Sequence, residues 1–446
     1  MFKVDDIIDH SYRVTGECSN SGGMGTILFV EPTNSPSPFP LVLKYCKDID
    51  DEVIQRFRRE VKFLASFHGN TKVVQIYSHN LQHEPPYFVM KYYSDGDLTK
   101  LTQKIKSSPE AQESLILKMI DCLQELHIRN QYHRDIKPQN FLVEGNHVVV
   151  SDFGLSTEIG SNTFCTRSSI YWGTHGYIPP EFLHDGGFKN PDASGDIFML
   201  GKTIYFLLTG RDPLYLVESE IPAPLYYIID KCCKVDKNQR YQNLNDLKQS
   251  LTTAFDVLLQ RAEGLSKSKL LLDQISDELK DQKYSPTKVK EFIDQLALLE
   301  NQEQNNICFE LSSGFFNIIC LDKVVSHLQT FLDIYEKHVE TKDYSWRYAE
   351  NIAENMGIVF TSQKAAVEQK ILSLDLAIRA AIYMNRFAAM DTCNSLIQNI
   401  QKDDTELGQA VAHLITKYRD QFVGDIDSSS CQNDYIRQTL LILKNN

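Results

Sequence analysis

Polar and apolar residues alternate in three short runs near the start of the chain, SYRVTGEC, GTILFVE and LVLKYC, separated by a glycine-rich turn and a proline-laden stretch, NSPSPFP. A period of two predicts strands, and turn-rich connections predict a small antiparallel sheet. From Asp50 to Phe67 the period changes. Val53, Phe57, Val61, Leu64 and Phe67 recur at threes and fours, with Asp50 and Asp51 where a helix N-terminus favours negative charge, so one amphipathic helix is predicted. Two further strands are predicted in VVQIYSHNLQ and PYFVMKYY, then a long helix in ESLILKMIDCLQELHIRN, and beyond it mostly helix with loops between.

Near residue 260 the composition shifts. Most of the glycine and proline lies before it, and after it proline occurs once, at Pro286, in a region of helix-type periodicity. Leu265, Leu272, Ile275, Leu279, then Val289, Phe292, Ile293, Leu296 and Leu299 predict a helical hairpin broken at Ser285-Pro286. Further helices are predicted over 307–339, 344–360, 364–385, 387–401, 405–423 and 432–443. Consecutive helices joined by short loops predict an all-α bundle or solenoid over 261–446. Its aromatic residues Phe309, Phe315, Phe316, Phe331, Tyr335, Trp346 and Tyr348 are expected in its core, and its histidines and cysteines never fall at zinc-ligand spacing.

The chain has 446 residues, 42% of them hydrophobic, which favours two or three domains with real cores. A net charge of −13 argues against a broad basic surface for nucleic acid. The stretches FNIICL and IYFLL are too short to cross a bilayer, and the opening MFKVDDIIDH has no uninterrupted apolar core of a signal peptide. A soluble, cytoplasmic chain is expected. Its ten cysteines form no CxxC motif and read as reduced, mostly buried thiols.

Chemistry concentrates in the first part. YHRDIKPQN, residues 132–140, combines a proton-accepting Asp135, a cation two residues on (Lys137) and an amide oxygen five residues on (Asn140). Transfer of a phosphoryl group to a hydroxyl needs this set. Twelve residues after Asn140 comes Asp152-Phe153-Gly154, directly after the apolar strand HVVVS. Asp152 and Asn140 offer the hard oxygen ligands that Mg²⁺ prefers.

These motifs, in this order, resemble those of the eukaryotic-like (Hanks-type) serine/threonine protein kinases over roughly residues 8–260. The resemblance implies an α+β, bilobal kinase fold, with a small antiparallel β lobe and a mainly helical large lobe, followed by the all-α domain. It implies ATP and Mg²⁺ as cofactors and proteins with serine or threonine acceptors as substrates. Lys44 resembles the lysine that binds the α- and β-phosphates, and Glu60, sixteen residues on, its helix partner. Asp135 resembles the catalytic aspartate, Lys137 the lysine that steadies the γ-phosphate, and Asn140 and Asp152 the metal ligands. Gly22, Gly23 and Gly25 resemble the phosphate-cradling loop, and Ile27, Val42, Leu142 and the gatekeeper Met90 the adenine pocket. In WGTHGYIPPE, Thr174 would contact Asp135 and Lys137, and Glu181 would pair with Arg240. Asp196 and Gly201 resemble the buried pair on the large lobe's central helix.

Some positions depart from the family pattern. Asn20 replaces the first loop glycine, and Asn tolerates a left-handed backbone better than most residues. Val42 replaces an alanine, adding two methyls to the adenine roof, Lys91 replaces a hinge glutamate, and Pro179 replaces an alanine. The string GGMG resembles bacterial members. Arg134 beside the catalytic aspartate suggests a switch by phosphorylation in the activation segment, where Thr166 and Ser168 resemble bacterial phosphosites. A regulatory protein bound by the helical domain is a further expected partner. The competing reading is a pseudokinase scaffold, against which the intact Lys44, Glu60, Asp135, Asn140 and Asp152 argue.

Overall fold

The computed structural model describes residues 2–19, 25–48, 50–106, 108–154, 157–158, 176–183, 192–261, 263–419, 421–422 and 426–445. The chain divides into two compact units, Met1–Gln260 and Arg261–Asn446. In the first, strands β1 (Ile7–Ile8), β2 (Tyr12–Ser19), β3 (Gly25–Pro32), β4 (Leu41–Cys46), β5 (Ile76–Asn80) and β6 (Tyr87–Lys91) form one antiparallel sheet in the order β1-β2-β3-β4-β6-β5. The predicted strands over 73–82 and 86–93 are thus shorter than their apolar runs.

Strand alternation on β4 decides what faces the cleft. All six of its residues are buried. Val42 and Lys44 lie opposite Met90 and Phe88 on β6, while Leu41, Leu43 and Tyr45 join Ile8, Val14 and Val89 in a separate cluster on the other face. Strand β1, which the sequence pattern does not reveal, helps close that second cluster. The chain around it is tied across the sheet by Tyr12 to Ser78 (2.8 Å) and by Asp9, which accepts from Tyr87 (2.6 Å) and Asn80 (2.8 Å).

Helix α1 (Asp51–Ser66) starts at Asp50, whose carboxylate accepts from the backbone N–H of Glu52 and Val53. It buries Phe57, Glu60, Val61 and Leu64 on one stripe. After β7 (Gly96–Asp97) and the short α2 (Thr102–Ile105), helix α3 (Pro109–His127) begins with Ser108 as cap and Pro109 at its first turn. Strand β8 (Gln131–Tyr132) precedes the hairpin β9 (Phe141–Glu144) and β10 (His147–Val150), and β7 pairs with β9. Strand β11 (Thr157–Glu158) pairs with β8. Helix α4 (Ala193–Thr209) is buried almost all round, and α5 (Ala223–Cys232) and α6 (Leu244–Leu258) complete the unit.

The second unit is all helical among the described residues: α7 (Glu263–Lys280), α8 (Pro286–Leu298), α9 (Asn301–Glu310), α10 (Ser313–Ile319), α11 (Leu328–Glu340), α12 (Tyr348–Thr361), α13 (Val367–Tyr383), α14 (Phe387–Gln398), α15 (Thr405–Thr416) and α16 (Asp434–Asn445). From α9 to α15 each helix packs on its second neighbour, the contact pattern of a solenoid-type stack. The predicted single helix over 307–339 is instead α9, α10 and α11. Apolar spacing runs through the breaks at Leu311-Ser312 and 320–327, so the pattern conceals them. Two aromatic residues expected in the core are exposed: Phe309 is 38% and Trp346 56% accessible, the latter under the Arg386 guanidinium at 4.2 Å. Among the described residues no helix is long and apolar enough to cross a membrane, and the nine cysteines are unpaired.

Candidate active site

Lys44 and Glu60 come from different elements and meet in the interior. The sheet carries Lys44 on the cleft face of β4, α1 turns Glu60 toward it, and Nζ lies 2.7 Å from Oε1. Asp152 Oδ1 is 3.8 Å from the same ammonium. Burial by itself would lower the Lys44 pKa, but Asp152 and Glu60 outweigh it and hold the lysine above its ordinary range. Burial pushes the Glu60 carboxyl up, against the pull of Lys44. Lys44 is the main reason that the Asp152 carboxyl lies below the usual range.

Asp152 is aimed by its neighbours. Its backbone φ is +62°, in the left-handed region that costs a non-glycine residue of order 1–3 kcal/mol. Phe153 is 1% exposed, with its ring 4.7 Å from Phe63 on α1 and 4.8 Å from His133. His133 in turn bonds through Nε2 to the Ser151 carbonyl (2.9 Å). The strained turn is held by burying the phenylalanine, and Asp152 is left beside Lys44.

Asp135 sits in a polar clasp. Lys137 Nζ is 2.9 Å from Asp135 Oδ2, and the Asn140 side-chain N–H donates to that oxygen at 3.0 Å and to the Asp135 carbonyl at 2.6 Å. With its nitrogen so committed, Asn140 keeps its amide oxygen for another partner. Behind the loop, Asp196 on α4 accepts from the backbone N–H of His133 (2.8 Å) and Arg134 (2.9 Å) and pairs with His127 Nε2 (2.9 Å). Burial would raise Asp196, but His127 and these donors bring it below the ordinary carboxylate value. Arg134, at φ +67°, is in this loop the counterpart of the strained Asp152 beyond β10. Lower in the unit, Arg240 makes a bidentate pair with Glu181 at 2.7 Å.

A cavity of about 640 Å³ lies between these elements. Ile27, Val42, Met90 and Leu142 supply apolar walls, and Lys44, Glu60, Lys137, Asn140 and Asp152 line its polar part, whereas Asp135 and Gly25, also expected at the site, are not among its lining residues. Gly25 starts β3 where an added Cβ would lie 2.7 Å from the Tyr45 carbonyl, which leaves no room for a side chain. Gly22, Gly23, Thr166, Ser168 and Thr174 lie outside the described residues. The side-chain oxygens of Asn140 and Asp152, lining one cavity with cations at 44 and 137, fit a metal-bound polyphosphate as a donor set.

Sequence reasoning missed several lining residues, among them Cys18, Tyr93, Asp97 and Lys100, and it missed His127 behind the loop. The pairing of β2 with β3 slips twice, between Val14 and Gly16 and between Glu17 and Ser19, and alternation alone does not assign Cys18 to the cleft. Asp97 carries a readable signal only as a residue type favoured at an N-cap; it accepts from the Thr99 backbone N–H at 2.9 Å at the start of the short 3-10 turn Leu98–Lys100.

A family model described as protein kinase domain matches residues 39–304, which begins after the glycine-rich turn and runs past Gln260. Serine/threonine-protein kinase PrkC of Bacillus subtilis is 28% identical over 259 residues, 53% of this chain and 39% of that protein. Serine/threonine-protein kinase C of Synechocystis is 28% identical over 277 residues, 56% of this chain and 51% of that protein. An Aurora kinase of Yarrowia lipolytica is 31% identical over 201 residues, 44% of this chain and 52% of its own. The chain spans about half, or less, of the length of these curated relatives.

Proposed function

The chain belongs to the protein kinase domain family, and from that premise we propose that it is an ATP- and Mg²⁺-dependent protein serine/threonine kinase. The observation that carries this reading is the convergence on one cavity of Lys44, Lys137, Asn140 and Asp152, with Asp135 bonded to two of them. In the proposed reaction a substrate hydroxyl attacks the γ-phosphate in line. Asp135 orients the hydroxyl and accepts its proton. Lys44 stabilises charge on the α- and β-phosphates and Lys137 on the γ-phosphate, while Glu60 keeps Lys44 in place. Asn140 and Asp152 would hold Mg²⁺, which screens the phosphate charge when bound. The backbone of Gly22, Gly23 and Gly25 would cradle phosphate, and Ile27, Val42, Met90 and Leu142 would enclose the adenine.

The proposal extends to control and setting. Thr166 and Ser168 are the proposed autophosphorylation sites, and Thr174 the hydroxyl that contacts Asp135 and Lys137. The kinase domain would cover 8–260, and 261–446 would be a helical domain that binds a substrate or regulatory protein. The nine described cysteines, all unpaired, support a reducing compartment, the cytoplasm.

Intact-mass and peptide mass spectrometry after incubation with ATP and Mg²⁺ tests this directly, beside an Asp152→Asn control. The expected result is added units of about 80 Da, one per phosphate, in the unaltered chain alone and mapping to Thr166 or Ser168. Absence of phosphate on the chain and on generic protein substrates would overturn the reading in favour of the scaffold.

A further inference from the structure

Lys91, which stands where the family has a hinge glutamate, and the proline-laden loop between β3 and β4 meet at one point. Lys91 ends β6, opposite Leu41 on β4. Its ammonium is ion-paired with Glu144 at the end of β9 and lies 5.5 Å from the centre of the Phe39 ring and 5.8 Å from that of Tyr93. Phe39 is the loop's contribution. Pro36, Pro38 and Pro40 restrict φ at every second residue, and the Ser37 hydroxyl donates to the Phe39 carbonyl at 2.6 Å. The Pro40 carbonyl accepts from the Tyr92 N–H at 2.9 Å, and the Phe39 ring packs on Tyr77 at 5.1 Å.

The pair joins the two sides of the cavity. On the sheet side Lys91 follows Met90, which lies opposite Val42. On the other side Glu144 stands two residues after Leu142, and in a strand that spacing puts both side chains on one face. Val42, Met90, Lys91 and Leu142 all line the cavity. From Asp95 onward the chain is already bonded to this part of the large lobe: the Asp95 N–H donates to the Val143 carbonyl (3.2 Å), the Asp95 carboxylate accepts from the Gly145 N–H (2.6 Å), and Asp97 lies opposite Leu142. Lys91 and Glu144 add a side-chain tie across residues 92–94, between the sheet that carries one apolar wall and the strand that carries the other. A glutamate at position 91 would instead meet the Glu144 carboxylate and repel it.

We propose that Lys91 is a positioning residue for the nucleotide: its pair with Glu144, backed by the Phe39 and Tyr93 rings, sets the gap between Val42 and Leu142 before the adenine enters. A gap fixed in advance leaves less to order on binding, so the pair acts on affinity rather than on the transfer step. The two side chains are partly exposed, at 25% and 35%, where an ion pair alone holds weakly, and the aromatic faces add to the hold on the ammonium. The role of Lys91 rests on the kinase reading for the identity of the ligand, and binding and transfer, measured separately, tell the two apart.

Calorimetric titration of the full chain with a non-hydrolysable ATP analogue and Mg²⁺, beside phosphate incorporation at saturating ATP, tests this. Lys91→Met and Glu144→Gln are each expected to weaken binding roughly three- to fivefold, the scale of one partly exposed ion pair. The double variant should lose no more than either alone, because both substitutions remove the same pair. Lys91→Arg should keep the parent affinity, and Phe39→Ala should weaken binding by less, about twofold. Incorporation at saturating ATP should stay close to that of the parent chain in all of them, a split that a general loss of folding does not give. Unchanged affinity in Lys91→Met, additive losses in the double variant, or incorporation that falls along with affinity overturns the role of Lys91. Affinities that respond as expected with no phosphate on any protein leave that role standing and overturn the kinase reading instead, and absence of nucleotide binding by the parent chain overturns both.

Discussion

The two units bury polar groups in different ways. The first hides charge: Lys44, Glu60, Arg134, Asp196 and Arg240 are all 7% exposed or less, and Arg134 and Asp152 occupy left-handed backbone. Among the described residues the second hides mostly neutral groups, among them Gln304, Asn305, His338, Asn355, Ser373 and Asn433. Among the described residues its one buried carboxylate, Asp375, is enclosed by Tyr418 (2.6 Å), Arg379 (2.9 Å) and Lys417 (3.1 Å). Burying ions is expensive, and strained backbone adds to the cost, so both persist where the surroundings enforce them. Arg240 and Glu181 show that a buried charge alone does not mark chemistry, since that pair is fully engaged in bracing the large lobe. Lys44 and Asp152, by contrast, line an open cavity that also takes in Lys137 and Asn140.

The largest effect expected from this contrast is on catalysis. Asp135→Asn keeps the size of the side chain and its contacts to Lys137 and Asn140 but removes the proton acceptor. Phosphate incorporation should fall on the order of 10²–10⁴-fold, the usual contribution of a positioned general base. A fall of less than tenfold would remove Asp135 from the mechanism and blur the distinction between the units.

The same contrast explains what was legible in the sequence. Lys44, Glu60, Asp135, Asn140 and Asp152 stand at spacings set by the reaction, and α1 shows its buried stripe in the period of Phe57, Val61 and Leu64. The strand Ile7–Ile8 was not legible because two residues have no period and its cluster forms only when the sheet closes across Tyr12 and Ser78. Cys18 was hidden by the slipped register of β2. In the helical unit nothing chemical fixes spacing, so the turns between α9, α10 and α11 disappear beneath continuous apolar positions. Phe309 and Trp346 looked like core for the same reason, because a half-exposed ring packed on His338 and Tyr348, or one covered by the Arg386 guanidinium, reads no differently from a buried one.

A deletion in the second unit should cost stability rather than rate. Phe316 is 0% exposed, with ring centroids of Tyr335 and Phe331 at 5.3 and 5.6 Å. Phe316→Ala should destabilise that unit by about 3–5 kcal/mol, the range for truncating a buried aromatic residue. Hydrogen exchange of peptides from α10 to α13 reports it, and a change confined to peptides from residues 1–260 would contradict the independence of the two cores.

The smallest effect is also the most specific, because it depends on His338 being neutral. The ring is 1% exposed, with Nδ1 2.5 Å from the Asn305 side-chain amide and Nε2 3.2 Å from the Tyr348 hydroxyl. The rings of Phe309, Tyr335 and Tyr344 complete surroundings that carry no charge. Burial lowers its pKa from 6.5 to about 4. Between those values the unfolded chain binds a proton that the folded unit refuses, so stability falls as pH drops through 6.5 and levels off below about 4. At roughly 1.4 kcal/mol per pH unit the loss reaches about 3 kcal/mol. Hydrogen exchange of α11 peptides followed from pH 7 to 4, corrected for intrinsic exchange, should show this decline, and His338→Leu should flatten it. An equal decline in the variant would mean that acid acts on the helical unit through its surface pairs, and its buried neutrality would no longer set it apart from the cleft.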